Sequence, residues 1–399
     1  MIGRLHRPGP VLVVGGGIGG MAAALALSQQ GFGVEIFEQS VEIGEIGAGL
    51  QLGPNGFAAM DALGVGERAR RRAVFTDELV MMDAIDGSEV ARIPVGDAFR
   101  RRFNNPYAVI HRADIHQSLH EEVKLVPDIH VHTSARIVRV DVDNDGARLV
   151  DASGATHDGA AVVGCDGVHS IVRHRLIGDA HRVSGHVVYR ALVPRADMPA
   201  DLRWNAAAIW VGPNCHLVHY PLRGGEQYNI VVTFHSREQE QWGVREGSRE
   251  EVMSYFTEIC ERPRQLLDKP TSWKRWSTAD RDPVDRWGEH RATLLGDAAH
   301  PMLQYLAQGA CIALEDAVTL REALRACARD LERAFRLYES KRVVRGARLI
   351  ISAREMGRLY HAKGVERLVR NSLWSGRTPE RFYDALEWLY GWTVDNCLA

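Results

Sequence analysis

Apolar and polar positions change period several times along this chain, and each change marks an element. Val11-Leu12-Val13-Val14 is a short β-branched run that ends in glycines, the pattern of a buried strand. Residues 18–30, rich in Ala and Leu, predict a helix that Gly31 stops. Val34-Glu35-Ile36-Phe37 predicts a second strand. Together they form a β-α-β unit, which requires a parallel pair and a right-handed crossover. Residues 44–56 are glycine-rich and end in Pro54-Asn55-Gly56, so a loop that covers a ligand is expected there. A helix over 58–72, β structure over 79–93, a helix from Arg112 to about Val123 and alternating strands over 129–163 follow. Many short β-like runs between 187 and 234 predict a separate antiparallel sheet. Residues 291–296 read as one more buried strand, and from Gly309 the pattern is helical through Arg358. The tail, 364–399, carries Trp374, Trp388 and Trp392.

This order predicts an α/β protein. A Rossmann-like domain with a parallel sheet takes residues 1–180, with small β insertions, and returns at 281–345. An antiparallel-sheet domain is inserted at 181–280, and long C-terminal helices end the chain at 346–399. With 399 residues the chain is too long for one small core. A net charge of −2 and the lack of a long basic run argue against nucleic acid or an anionic membrane as partner. Six cysteines form no CxxC pair and fit neither a zinc site nor a disulfide framework, so free thiols in a reducing cytoplasm are expected. The first ten residues lack the apolar core of a signal peptide, and no apolar stretch is long enough to span a bilayer.

Gly15-Gly16-Gly17-Ile18-Gly19-Gly20 fits GxGxxG at Gly15, Gly17 and Gly20. Alone the pattern is weak. Here it follows a strand, opens a helix, and precedes an acidic residue, Glu38, at the end of the second strand, which strengthens it greatly. Gly15 permits the tight turn, Gly17 lets the backbone approach a pyrophosphate, and Gly20 allows close helix–strand packing. The helix N-terminus offers free N–H groups and a positive dipole end, and Glu38 can accept hydrogen bonds from ribose hydroxyls. A glycine-rich turn without a ligand is the competing reading, and the full context weighs against it.

Two later motifs narrow the cofactor. Val162-Val163-Gly164-Cys165-Asp166-Gly167 is a strand followed by an Asp-Gly turn. Leu294-Leu295-Gly296-Asp297-Ala298-Ala299-His300-Pro301 is a strand whose end places an acid beside a helix start. With the first motif they resemble, in order, the three fingerprints of the class A flavoprotein monooxygenases, the p-hydroxybenzoate hydroxylase-like family, from Val11 to about Arg342. The resemblance implies FAD, with NADH or NADPH as electron donor and O2 as co-substrate, and an inserted β domain that holds the substrate. It also implies that Asp297 holds the ribityl chain of FAD and that the Asp166-Gly167 turn serves both FAD and the nicotinamide cofactor. Arg112 would touch the flavin side of the pyrophosphate, Gln51 would lie near the ribityl and ring system, and Pro301 would pack near the reacting face. The helix beginning at Gly309-Ala310 would aim its N-terminus at the flavin N1–C2=O edge. Reduced flavin is anionic there, and a helix N-terminus stabilises negative charge. The chain departs from the pattern at Glu42 and Glu45, where many relatives carry a basic residue.

Electrophilic hydroxylation of a benzene ring is far easier on a phenolate than on a phenol. Such an enzyme needs a base near the substrate hydroxyl, and histidine suits the task. In Cys215-His216-Leu217-Val218-His219-Tyr220-Pro221, strand alternation puts His216, Val218 and Tyr220 on one face and His219 on the other. A facing wall is expected from Pro301-Met302-Leu303-Gln304-Tyr305. The His216, Tyr220 and Gln304 set resembles that of the 3-hydroxybenzoate 6-hydroxylase branch of the family. That implies a small phenolic carboxylic acid as substrate, with His216 as base and Tyr220 and Gln304 orienting the carboxylate and phenol. A strand histidine taken alone is more often packed than catalytic; the matching Tyr220 and Gln304 tip the balance. His300 is expected to be structural and His219 to pack on the far face, while Tyr107 and Tyr189 are weaker candidates for lining the pocket.

Salicylate 1-hydroxylase or 6-hydroxynicotinate 3-monooxygenase chemistry stays open on the same fold and cofactors, as does, more distantly, a flavoprotein redox sensor that hydroxylates nothing. A flavin-dependent halogenase is disfavoured, because Trp273-Lys274-Arg275-Trp276 does not fit the Trp-x-Trp-x-Ile-Pro segment of those enzymes. The aromatic tail suggests a homodimer contact.

Overall fold

The structure is a computed structural model that describes residues 9–44 and 49–399. Glu45, Gly47 and Ala48, in the segment expected to cover a ligand, lie outside those residues.

Val11–Val14 is the central strand of a five-stranded parallel sheet. Ala161–Gly164 and Val34–Phe37 flank it, with Ala292–Leu294 and Ile129–His132 at the edges. No residue of the central strand is more than 4% exposed, which fits a strand covered on both faces. The helix Ile18–Ser28 packs against the helix Gly309–Ala326. Ala22, Ala23, Ala24 and Ala26 are fully buried, and side chains this small let two helix backbones approach closely.

The second large sheet has eight strands. In spatial order they are Gly243–Glu246, Lys274–Asp280, Arg182–Pro194, Gln227–His235, Cys215–Leu222, Ala206–Gly212, Glu78–Asp83 and Glu89–Pro94. It is antiparallel except where Ala206–Gly212 runs parallel to Glu78–Asp83. The expected sheet is therefore extended by two strands from upstream in the chain. One face carries Tyr189, Trp210, Leu217 and Phe234 and packs on the apolar side chains of 252–267. Alternation turns the other face toward the parallel-sheet half of the molecule.

Three local expectations are corrected. Residues 49–56 are not one loop: Gly49–Leu52 is a strand, and a helix starts at Pro54, a residue suited to the first helical position. The helix expected over 58–72 is two helices, Pro54–Ala62 and Gly66–Arg72, because Gly64 takes a left-handed φ of +82° between them. The helical region after Gly309 also divides, into Gly309–Ala326 and Leu331–Tyr360. Ala328 and Arg329 adopt positive φ at the break, and Asp330 caps the second helix by accepting from the Arg333 N–H.

A buried ion network locks these helices together. Arg342 donates to Asp316 Oδ1 at 2.6 Å and to Glu315 Oε2 at 2.8 Å, and Arg345 donates to both Glu315 oxygens. Asn55 adds a further donor to Glu315. His300, fully buried, lies 2.5 Å from Asp316 and joins this network. Burial alone would raise Asp316, but His300 and Arg342 hold its carboxyl at about 2. Arg345 also donates to the carbonyls of Trp388 and Leu389, which fastens the C-terminal helix Pro379–Tyr390 to the core.

Candidate active site

The glycine loop has the geometry its sequence requires. Gly15 sits at φ +102°, and a Cβ there would fall 2.5 Å from the Cys165 carbonyl oxygen. A Cβ on Gly20 would fall 1.9 Å from the Gly15 carbonyl oxygen, so close helix–strand packing needs glycine there. Gly17 is the N-cap of Ile18–Ser28. Glu38 accepts from the Gly16 N–H at 2.7 Å and the Ser40 N–H at 2.8 Å, which fixes its carboxylate at the loop. His116, on the helix Arg112–Val123, donates to the Gly16 carbonyl at 2.7 Å and steadies the turn. Sequence reasoning missed His116, because nothing local distinguishes a helix histidine that reaches across 100 residues.

In front of this loop lies a cavity of about 1230 Å³, between the parallel sheet and the eight-stranded sheet. It exceeds the range of roughly 300–1,000 Å³ usual for drug-sized ligands, which suits a dinucleotide plus a small substrate. Gly15, Gly17, Glu38, Gln51, Arg112, Asp166, Asp297, Gly309 and Ala310 all border it, as do His216, Tyr220 and Gln304. Gly20 lies behind the loop, in keeping with its packing role. Pro301 is buried and does not border the cavity; Met302 and Leu303 form the surface at that point. Asp297 is exposed toward the N-terminus of Gly309–Ala326, where a Cβ on Gly309 would lie 3.8 Å from its Oδ1. Asp166 caps the short helix Ile171–Leu176 by accepting from the N–H groups of Ile171 and Val172 and from the Ser170 hydroxyl. The tight glycine cradle, the helix N-termini at Ile18 and Gly309 and the carboxylates of Glu38 and Asp297 on the cavity lining fit FAD.

The eight-stranded sheet supplies the opposite wall. Its register sets His216 beside Thr233, Val218 beside Val231 and Arg190, and Tyr220 beside Asn229, in three successive rows of one face. Burial pushes the His216 imidazole down to about 3, so it is neutral at neutral pH, and its Nδ1 lies 2.8 Å from Nε2 of His361. Burial raises the Tyr220 phenol, which keeps it protonated. The Gln304 amide donates to Thr233 Oγ1 at 3.4 Å, which brings it to the His216 row. Gln51 hydrogen-bonds to the Tyr107 hydroxyl, and Tyr107 borders the cavity as expected.

Tyr189 does not. It lies on the opposite face of its strand, where its hydroxyl bonds to Glu251, because alternation gives the cavity position to its neighbour Arg190. His219 is fully buried on that same far face, near Trp204. Arg190 was not singled out from the sequence. Its guanidinium lies over the Trp276 ring at 5.6 Å and borders the cavity. Trp374 and Trp388 also border the cavity, so the C-terminal helices close one side of it.

A nucleotide cradle on a parallel sheet, facing an eight-stranded sheet that presents His216 and Tyr220 with Gln304 reaching in from the turn Gln304–Leu306, defines an FAD-dependent aromatic monooxygenase. The family of FAD binding domains matches residues 9–352, and the chain belongs to that family, among the class A flavoprotein monooxygenases. The 3-hydroxybenzoate 6-hydroxylase of Polaromonas naphthalenivorans (strain CJ2) is 65% identical over 390 residues, 98% of this chain and 98% of that protein. The 3-hydroxybenzoate 6-hydroxylase of Klebsiella oxytoca is 61% identical over 387 residues, 97% and 98% of the two chains. Among solved structures, a salicylate hydroxylase substrate complex superposes with a TM-score of 0.82 at 26% identity, over 98% and 97%.

Proposed function

We propose that this enzyme hydroxylates 3-hydroxybenzoate at C6 to give gentisate (2,5-dihydroxybenzoate), using NADH or NADPH and O2. One oxygen atom enters the ring C–H bond as hydroxyl and the other leaves as water. The two electrons come from the nicotinamide, with a proton from solvent. The observation that carries the reading is the single cavity whose lining brings His216, Tyr220 and Gln304 together with Asp297. Relatives named for this reaction, at 61–65% identity along almost the whole chain, support it.

FAD, when bound, passes the nicotinamide electrons to O2 and activates it toward the ring. Glu38 would hold the adenosine ribose, Asp297 and Gln51 the ribityl end, and the Gly309 helix terminus the anionic edge of the ring system. His216, neutral with a free ring nitrogen, takes the phenol proton and makes the ring electron-rich. Tyr220 donates from its hydroxyl, and Gln304 fixes the substrate beside His216. Arg112 and Arg190 give the cavity the positive charge that an aromatic carboxylate needs.

The same reading makes the protein a cytoplasmic homodimer with no nucleic-acid partner. The six free cysteines, the near-neutral charge and an exposed stripe of Val365, Leu368, Val369 and Leu373 support it. Among the described residues no helix is long and apolar enough to cross a membrane.

Product identification tests the substrate. The holoenzyme is supplied with 3-hydroxybenzoate, salicylate and 6-hydroxynicotinate in turn. Gentisate from the first is expected; catechol from salicylate as the sole product would replace this reading with the salicylate one.

A further inference from the structure

A chain of buried polar groups ends on one side chain at the cavity wall. Glu315, fully buried on the helix Gly309–Ala326, accepts from Arg342 and Arg345. Burial alone would raise it, but Arg345 and Arg342 hold its carboxyl below the usual value, so it is ionised and can only accept. Asn55, fully buried on the helix Pro54–Ala62, must therefore turn its N–H2 toward Glu315, and it donates to Glu315 Oε1 at 2.6 Å. The second hydrogen of the same nitrogen goes to Gln308 Oε1 at 2.8 Å. Gln308 must then accept with its oxygen and turn its own N–H2 away from Asn55. Gln308 is 3% exposed and borders the cavity, and among the described residues nothing accepts from that N–H2.

Gln308 is also the N-cap of Gly309–Ala326. A favoured N-cap side chain accepts from a first-turn N–H. Gln308 makes no such bond, its oxygen being held by Asn55. The helix thus presents its first turn and the Gln308 amide to the cavity together, at the place proposed for the anionic edge of the flavin. A nearly buried donor without an acceptor costs free energy where it stands, and a bound group that accepts there removes that cost.

We propose that the Gln308 carboxamide donates to the flavin N1–C2=O edge, with Asn55 and Glu315 fixing the orientation in which it can, and that this raises the cofactor's affinity for electrons. The proposal rests on the Gly309 helix terminus meeting that edge. The oxidised ring is neutral. Two electrons and one proton from the nicotinamide, which leaves as its oxidised cation, give the ring one negative charge along N1–C2=O. A donor there binds the reduced form more tightly than the oxidised one and so raises the midpoint potential. A carboxamide turned the other way would set its oxygen against the same charge and lower the potential. Asn55 does not border the cavity, so it is a positioning residue that acts through Gln308.

The test is the midpoint potential of the FAD-loaded enzyme without substrate, read by equilibration with a redox dye at fixed pH. Gln308→Leu removes the donor. The ratio of its affinities for reduced and oxidised FAD is expected to fall about tenfold, a drop of about 30 mV for a two-electron couple. Asn55→Ala frees the Gln308 amide to turn, and it is expected to lower the potential as well. The double variant is expected to fall no further than Gln308→Leu alone, because Asn55 acts through Gln308. A parental potential in Gln308→Leu overturns the donor. A parental potential in Asn55→Ala, or additive shifts in the double variant, overturns the orienting role. Gln308→Glu separates the proposal from the placement it rests on, since it keeps an acceptor for Asn55 and sets a carboxylate at the same point. A potential lowered in Gln308→Glu but not in Gln308→Leu leaves the helix terminus at the ring and overturns the donor alone. Parental potentials in both overturn the placement too.

Discussion

The ring of Tyr220 lies against the backbone of Gly49, where a Cβ would fall 2.5 Å from Tyr220 Cε2 and 2.7 Å from its hydroxyl oxygen. This contact seats the strand that carries Gln51 on the sheet that carries His216. The Gly49 N–H, which donates to Asn229 Oδ1 at 3.0 Å, fixes the same join. Gly49→Ala is expected to displace Tyr220 and lower kcat/KM for the aromatic acid by about 10²-fold, the scale of a 1 Å misplacement. FAD content should be retained. Steady-state kinetics check this, and parental kinetics in Gly49→Ala would show that the seat of Tyr220 does not matter.

Asp297 tests the third motif. Its carboxylate faces the cavity beside the N-terminus of Gly309–Ala326. Removing it by Asp297→Ala loses charged hydrogen bonds to the ribityl hydroxyls, worth about 1.5–3 kcal/mol each. FAD affinity should fall by roughly 10- to 150-fold per bond lost, as read by fluorescence titration of the apoenzyme. Unchanged affinity would remove Asp297 from the cofactor site.

Two histidines of the eight-stranded sheet, His216 and His186, also make stability depend on pH. Burial lowers His216 to about 3 and His186 to about 4 in the folded protein, against about 6.5 in the unfolded chain. Between those values the unfolded state binds more protons, so stability falls as pH falls from about 6.5 toward 4. The stabilisation is fully present above pH 6.5. Tm is expected to drop on acidification through this window, and the drop should be shallower in His186→Asn. An equal slope in the variant would locate the acid sensitivity elsewhere.

The parts legible in the sequence are those set by local chemistry. The turn at Gly15, the close packing at Gly20 and the Asp-Gly turn at Asp166 each demand particular residues at short spacing. Strand alternation likewise put His216, Val218 and Tyr220 on one face without any tertiary knowledge. Alternation does not say which face of a neighbouring strand turns to the cavity, so Tyr189 was considered and Arg190 passed over. Residues 78–94 joined the eight-stranded sheet through pairing with a strand more than 100 residues away, which no local pattern records. His361 meets His216 across 145 residues for the same reason. The helix break at Ala328 and Arg329 was hidden because the left-handed turn there uses no glycine.

The central claim is that His216 ionises a phenol so that oxygen transfer to the ring succeeds. The direct measurement is the ratio of gentisate formed to NAD(P)H consumed for His216→Ala with 3-hydroxybenzoate, across pH. General-base removal costs about 10²–10⁴-fold, so hydroxylation should fall far more than NAD(P)H oxidation, with the missing oxygen recovered as hydrogen peroxide. The ratio should rise toward high pH, where the phenol ionises unaided. A ratio equal to that of the parent at neutral pH, with normal turnover, would contradict the account.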